Sequence, residues 1–467
     1  MYYENKCAKD VKIAYIGGGS RGWAWTLMKD LARAGDVSGS VYLYDIDFEA
    51  AKNNETIGNR IEMGDWKYKA VPTIGEALTG ANFVIVSILP GTFDEMESDV
   101  HAPEKYGVYQ PVGDTTGPGG FIRSLRTVPM MQEIARAVRE FCPKAWVINY
   151  TNPMAICVHA LYKEFPEIKA FGCCHEVFGT QKLLAQAFND YKGEDEISLE
   201  HGEDDYTKKV TVNVVGVNHF TWLTSARYLN HDLFAIYTDF AKKYHATGYV
   251  KDMPENWMNN AFKSAARLRL DLFLKYGYIA AAGDRHLAEF MDKEDYLYDP
   301  EHVRQWSFGL TSVAWRKNDL KERLAKSERL LSGEEKFVIK ASGEEGVRQI
   351  RAILGLGNLV TNVNLPNYGQ IPNLPLGTVV ETNASFRNDS VQPVMAGAIP
   401  EAIYPLIKRI VEENNETVEA AFGRDLEKCY DVFAKGHLLK SLTEEEKREL
   451  FATMIENTKE YLGDYHA

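Results

Sequence analysis

The chain has no C-x-x-C pair, and its six cysteines, Cys7, Cys142, Cys157, Cys173, Cys174 and Cys429, fall at irregular spacings. That excludes a structural zinc ribbon, and a chain this long needs no disulfide staples. It has no run of ~18 or more apolar residues, so no transmembrane helix is expected. The opening stretch MYYENKCAKD lacks the basic-then-apolar pattern of a secretory signal. These absences together imply a cytoplasmic protein. Basic residues are not in excess either: 53 Lys and Arg against 66 Asp and Glu leave a net charge of −13. An acidic chain repels phosphate backbones, which disfavours nucleic acid as a partner. There is also no internal repeat and no low-complexity linker.

What is present is enough apolar residue to build a large core: 467 residues, 45% hydrophobic. This length suggests roughly two to three domains. In the first 190 residues short apolar runs alternate with helical patterns. VKIAYI (11–16), SVYLYD (40–45), NFVIVSIL (82–89), AWVINY (145–150) and IKAFGCC (168–174) read as strands. Such alternation predicts an α/β fold, a Rossmann-type doubly wound parallel sheet with helices on both faces. After residue 200 the texture changes. The stretch 208–229 alternates as antiparallel strands do. Helical patterns follow around 231–245, 257–276 and 302–331, then a strand at 378–386 and a charged helical region over 400–463. We therefore divide the chain into a nucleotide-binding domain, 1–200, and a C-terminal α+β domain, 201–467, for substrate, metal and oligomerisation.

In a doubly wound sheet the ligand crevice lies beyond the carboxyl ends of the strands. Four clusters fall just after strands: the glycine run, Pro90-Gly91, NYTNP and CCHEV. The run Gly17-Gly18-Gly19-Ser20-Arg21-Gly22 matches G-x-G-x-x-G between a strand and a helix. Gly17 would permit the tight turn, Gly19 the approach of a pyrophosphate, and Gly22 close helix–strand packing, with Ser20 as a helix cap. Asp45 ends the second strand, where an acid can bind ribose hydroxyls and favour NAD over NADP. Arg21 leaves NADP open, because an arginine can meet a 2′-phosphate. The bland alternative is a glycine-rich turn beside a surface aspartate.

The stretch GCCHEV sets Cys173, Cys174, His175 and Glu176 side by side. Most cysteines in such a chain are small buried hydrophobes. Cys174 and His219, the latter in GVNHF, could instead supply two ligands of a divalent metal and leave positions open for chemistry. A lone histidine at a strand end is more often a satisfied structural residue.

The ordered set IAYIGGGS, KYGVYQPVGDTTGPGGFIRSLRTVP, NYTNP, CCHEV, GVNH, GDRH and NYGQIPNLPLGTVVE resembles glycoside hydrolase family 4, whose members depend on NAD and manganese. The Cys-His-Glu-Val version resembles the family's α-galacturonidase branch. The resemblance implies a nucleotide domain like that of lactate and malate dehydrogenases, and a dimer or tetramer. It also implies a redox–elimination route in place of two-carboxylate chemistry: oxidation at C3, loss of the C2 proton, departure of the C1 group, addition of water and re-reduction. Carried over by motif, Cys174 and His219 would hold Mn²⁺, and Asn152 would contact the sugar hydroxyls. His175 would be the acid at the leaving group. Asp284 would be the base, with Tyr276 and Tyr278 nearby as alternatives and Asp114 as a second carboxylate. A uronate, free or in an oligosaccharide, also needs a cation for its carboxylate, and Arg285, Arg123 and His286 are the candidates. Cys173 would be packing, and Glu176 receives no role. Other α-hexosides or glucuronides, a 2-hydroxy-acid dehydrogenase and a non-catalytic NAD sensor are the competing readings.

Overall fold

The computed structural model describes residues 1–200, 205–251 and 253–466. Fourteen strands form among them: β1 (Tyr2–Glu4), β2 (Cys7–Ile16), β3 (Val37–Tyr44), β4 (Trp66–Ala70), β5 (Phe83–Val86), β6 (Trp146–Asn149), β7 (Lys169–Gly172), β8 (Thr211–Val217), β9 (Phe220–Tyr228), β10 (His231–Asp232), β11 (Ile279–Ala280), β12 (Leu359–Pro366), β13 (Val379–Arg387) and β14 (Ser390–Pro393). Six of them, in the order β4-β3-β2-β5-β6-β7, are parallel. This is the doubly wound order, with its switch point between β2 and β5.

The central strands β2, β5 and β6 are buried on both faces because their alternate residues feed separate cores. Ala14, Ile16, Val84 and Val86 point into one core, with the Gly117–Phe141 and Met154–Glu164 helices. Ile13, Tyr15, Ile85 and Ile148 point into the other, with the Trp23–Arg33 and Gly346–Ile353 helices.

The division at residue 200 is not a division of the sheet. Strand β12 pairs antiparallel with β7 through Asn364 and Gly172, and β13 and β14 extend the same sheet. The C-terminal helices also return to the first core, where Val418, Phe433 and Leu450 pack beside Ile122 and Leu125. Long-range pairing of this kind leaves no trace in local periodicity. The second sheet, β8 to β11, is antiparallel and carries its own cores on both faces.

Two expected helices are shorter than their patterns. Over 257–276 only Arg267–Tyr276 is α-helical, preceded by a single 3₁₀ turn at Trp257–Asn259. The 302–331 pattern splits into Pro300–Gln305 and Val313–Ser332. Each helix has its own side-chain cap, Asp299 on the His302 amide and Ser312 on the Trp315 amide, so the second cap marks a fresh start. Among the described residues, no helix is long and apolar enough to cross a membrane.

Candidate active site

The glycine turn follows β2, beside the end of β5. Gly17 has φ +93°, and a Cβ there would lie 2.0 Å from the Ser87 carbonyl oxygen. A Cβ on Gly18 would lie 2.8 Å from Leu43. These two glycines therefore carry the close packing onto strand ends. Gly22, expected to pack the helix onto a strand, does not: a Cβ there would meet only the tip of Arg323. The N-cap of the following helix is Gly22 and not the expected Ser20, whose Oγ accepts from the Trp23 amide at 3.2 Å from within the turn. Asp45 accepts from the Gly19 amide at 2.8 Å and the Asp47 amide at 2.9 Å, so its carboxylate braces the turn. Pro90 is buried, and its carbonyl accepts from Arg126 Nε.

Beside this turn, past the ends of β6 and β7, lies a cavity of ≈ 910 Å³. Trp23, Asp114, Asn152, Cys174, His175, Glu176, His219, Asp284, Arg285 and His286 line it. Six segments supply them, beginning with the Trp23–Arg33 helix, which carries Trp23. The loop before the Gly117–Phe141 helix carries Asp114. The β6 and β7 ends carry Asn152 and the Cys174–Glu176 stretch. The β8–β9 hairpin turn carries His219, and the Asp284–Phe290 helix carries the last three.

His219 sits at φ +61°, a left-handed conformation unusual for histidine. Its ring lies against that of His286, with centroids 3.8 Å apart. The turn is held from the first sheet: Glu381 on β13 accepts from Asn218 at 3.2 Å and from Asn362 at 2.6 Å. Thr115 Oγ1 donates to Asp114 at 2.8 Å and lies 2.8 Å from His219 Nδ1. Donor atoms of Asp114, His219 and His286 come within 4.8 Å of one another, a spacing a single cation can bridge. Burial raises the Asp114 carboxyl, but its cationic surroundings, the Arg123 guanidinium first, more than offset this and hold it at about 2. Burial pushes His219 down to about 3 and lowers His286 as well. The cluster is thus one carboxylate and two neutral imidazoles, a donor set suited to a divalent cation. His286 Nδ1 is buried and has no partner among the described residues.

This cluster differs from the expected Cys174–His219 pair. His219 is common to both. Asp114 and His286, expected elsewhere in the chemistry, join it. Cys174 faces the same cavity, and its carbonyl is pinned by Asn362 at 3.1 Å. Burial and the charges of Glu381 and Glu176 push its thiol well up.

His175 reaches Glu344 at 3.1 Å and lies beside the Trp23 ring. Burial lowers its pKa, but the Glu344 contact and the charges of Glu344, Glu176 and Glu381 outweigh this and hold it at about 9. Glu176 opens the helix Glu176–Lys192 and accepts from the Gly283 amide at 2.7 Å, with His286 Nε2 at 3.8 Å. It ties the CCHEV strand end to the GDRH segment. Cys173 is packed in the second core.

Asp284, the expected base, lines the cavity from the first turn of its helix and is also an anchor. It is fully buried and accepts from the amides of Leu268 and Arg269 at 3.4 and 3.3 Å and from Arg269 Nε at 3.2 Å. These contacts cap the Arg267–Tyr276 helix and pair the Arg269 guanidinium, which is an anchor's work. Tyr276 and Tyr278 pack against the core under β9, away from the cavity. Arg123 does not line the cavity: it lies behind the wall, with Nε on the Asn152 carbonyl at 3.0 Å.

Residues 12–190 match the model of the family 4 glycosyl hydrolases, and residues 214–438 match that of their C-terminal domain. The chain belongs to glycoside hydrolase family 4. It is 56% identical to the alpha-galacturonidase of Thermoanaerobacterium saccharolyticum, over 100% of this chain and 99% of that one. It is 49% identical to the alpha-galacturonidase of Bacillus subtilis, over 96% of this chain and 97% of that one. The crystal structure of lplD from Bacillus subtilis superposes with a TM-score of 0.89 at 47% identity, covering 96% of this chain and all of that one. A 6-phospho-alpha-glucosidase from gut microorganisms, solved with NAD and Mn²⁺, shares the fold with a TM-score of 0.78 at 19% identity.

Within this family 4 chain, several residues of the site lie outside the expectations above. Thr115 stands inside a quoted motif and was findable as a hydroxyl next to Asp114. Glu289 lies one helical turn after His286 and accepts from the Val112 and Gly113 amides at 2.6 and 2.8 Å. Glu344, Glu381, Arg316 and Arg323 come from distant segments, and only the fold brings them to the site.

Proposed function

We propose that this glycoside hydrolase cleaves α-linked galacturonides by the redox–elimination route, using NAD and a divalent cation such as Mn²⁺. The observation that carries the reading is the Asp114–His219–His286 cluster, in a cavity at the carboxyl edge of the parallel sheet beside the glycine turn. The names of the relatives at 49–56% identity support the substrate.

The chain fits both groups. Asp114, His219 and His286 would hold the cation, with Cys174 on the same wall to complete the set. At the glycine turn, the start of the Trp23–Arg33 helix and the Arg323 guanidinium over Gly22 suit a pyrophosphate. When bound, NAD supplies a hydride acceptor, and the cation supplies Lewis-acid charge beside the sugar hydroxyls.

The residues of the chain bind, orient and move protons. Asn152 Oδ1, buried and without a partner among the described residues, accepts from a sugar hydroxyl. His175, half-exposed and held in its charged form by Glu344, presents a proton to the leaving-group oxygen. Glu176 fixes the two strand-end segments relative to each other. Asp284 holds the helix Arg267–Tyr276 that backs the cavity.

The test is hydrolysis of a chromogenic α-galacturonide with NAD⁺ and Mn²⁺ under reducing conditions. Turnover that stops with a chelator and yields no net NADH is expected. Stoichiometric NADH release would assign the chain to the 2-hydroxy-acid dehydrogenases instead.

A further inference from the structure

We propose that Arg316 and Arg285 form the fork that binds the carboxylate of a uronate in the cavity, with Phe262 as its apolar floor. This rests on the galacturonide reading and assigns its specificity to a residue pair.

Arg285 is 7% exposed. Its Nη2 donates to the Pro111 carbonyl at 2.9 Å, which leaves Nε buried without a partner among the described residues. Arg316 reaches the cavity from another wall, in the first turn of the Val313–Ser332 helix, and its Nε is likewise buried and unpartnered. Both guanidinium carbons stand over the Phe262 ring, at 5.2 and 6.0 Å from its centroid. Trp315 props that ring edge-on at 4.8 Å.

Two other enclosed arginines are treated differently, whereas Arg123 also keeps a buried Nη1 without a partner among the described residues. Arg126 is paired with Asp99 at 2.5 Å, and Arg269 with Asp284 at 3.2 Å. Among the described residues, neither Arg285 nor Arg316 has a carboxylate within ion-pair distance. Two enclosed cations on one ring, with donors left open, are costly until a planar anion arrives. A carboxylate matches the fork. Arg123, the other sequence candidate, is excluded by position: it lies behind the wall and faces Asp114 and Asp99.

The neighbours of the pair separate this anion from the phosphates of a nucleotide. Arg285 is adjacent to His286 of the candidate cation cluster. Arg323, seven residues after Arg316 on the same helix, stands over the glycine turn instead. Seven residues of α-helix span about 10.5 Å, so one helix presents one arginine to each ligand.

The test is calorimetric titration of the protein, with NAD⁺ and Mn²⁺ added, with methyl α-galacturonoside and with its 6-methyl ester. The two differ only in the charge of the C6 group. Arg316→Met should weaken binding of the acid by about 10- to 100-fold and leave the ester unchanged. Arg316→Lys keeps the charge without the fork and should fall between. Equal losses for acid and ester in Arg316→Met, with wild type still preferring the acid, would overturn the fork alone. A wild type that binds the ester as tightly as the acid would overturn the galacturonide reading and the fork together.

Discussion

Thr115 Oγ1 and His219 Nδ1 lie 2.8 Å apart, and this contact sets the tautomer of the histidine. The hydroxyl has one proton, and it goes to Asp114 Oδ1 at 2.8 Å. Nδ1 of His219 must therefore donate, which leaves Nε2 bare and available as a ligand atom. A single hydroxyl thus orients two of the three members of the candidate cation cluster.

Thr115→Val removes that hydroxyl and keeps the shape. Affinity for Mn²⁺ should fall by about 10- to 100-fold, read by electron paramagnetic resonance titration, with the melting temperature little changed. Thr115→Ser should restore most of the affinity. Unaltered Mn²⁺ binding in Thr115→Val would remove the hydroxyl from the account.

Asp284 is an anchor in this structure, so its loss should appear first as instability. Asp284→Ala leaves the Arg269 guanidinium without its partner. Breaking a buried pair costs about 3–5 kcal/mol, and thermal or urea unfolding should show it. A variant with wild-type stability but no turnover would return Asp284 to the role of base.

Glu289 gives the fold a pH dependence of known sign. Burial pushes its carboxyl from 4.5 up to about 8, against the Val112 and Gly113 amides, which lower it. Between those two values the unfolded chain releases a proton that the folded chain keeps. Stability from this group is therefore full below pH 4.5 and is lost as pH rises to about 8. Glu289→Gln keeps an oxygen for both amides and does not titrate. Its melting temperature relative to wild type should rise from pH 5 to pH 8. A difference that stays flat over that range would show that Glu289 is not held neutral.

What the sequence made legible is the part of the site written in short motifs at strand ends. The glycine turn, Asn152, Cys174 and His175 follow strands that the apolar runs of the parallel sheet made readable, whereas the GDRH segment was marked only by the family resemblance. Individual roles were less legible. Asp284 has the same letter whether it abstracts a proton or caps a helix, and only the position of Arg269 decides. Gly22 matches a spacing, yet Gly17 and Gly18 carry the close contacts. Glu381 and Arg316 reach the site through β13 joining β12, and through a helix more than a hundred residues past His175. No local pattern encodes either approach.

The central claim, cleavage through loss of the C2 proton, is tested most directly with a chromogenic α-galacturonide carrying deuterium at C2. Hydrolysis with NAD⁺ and Mn²⁺ should be slowed by the label, or should release it to solvent, so that galacturonate recovered by mass spectrometry carries protium at C2. Full retention of deuterium in the product, at the rate of the unlabelled substrate, would contradict the account.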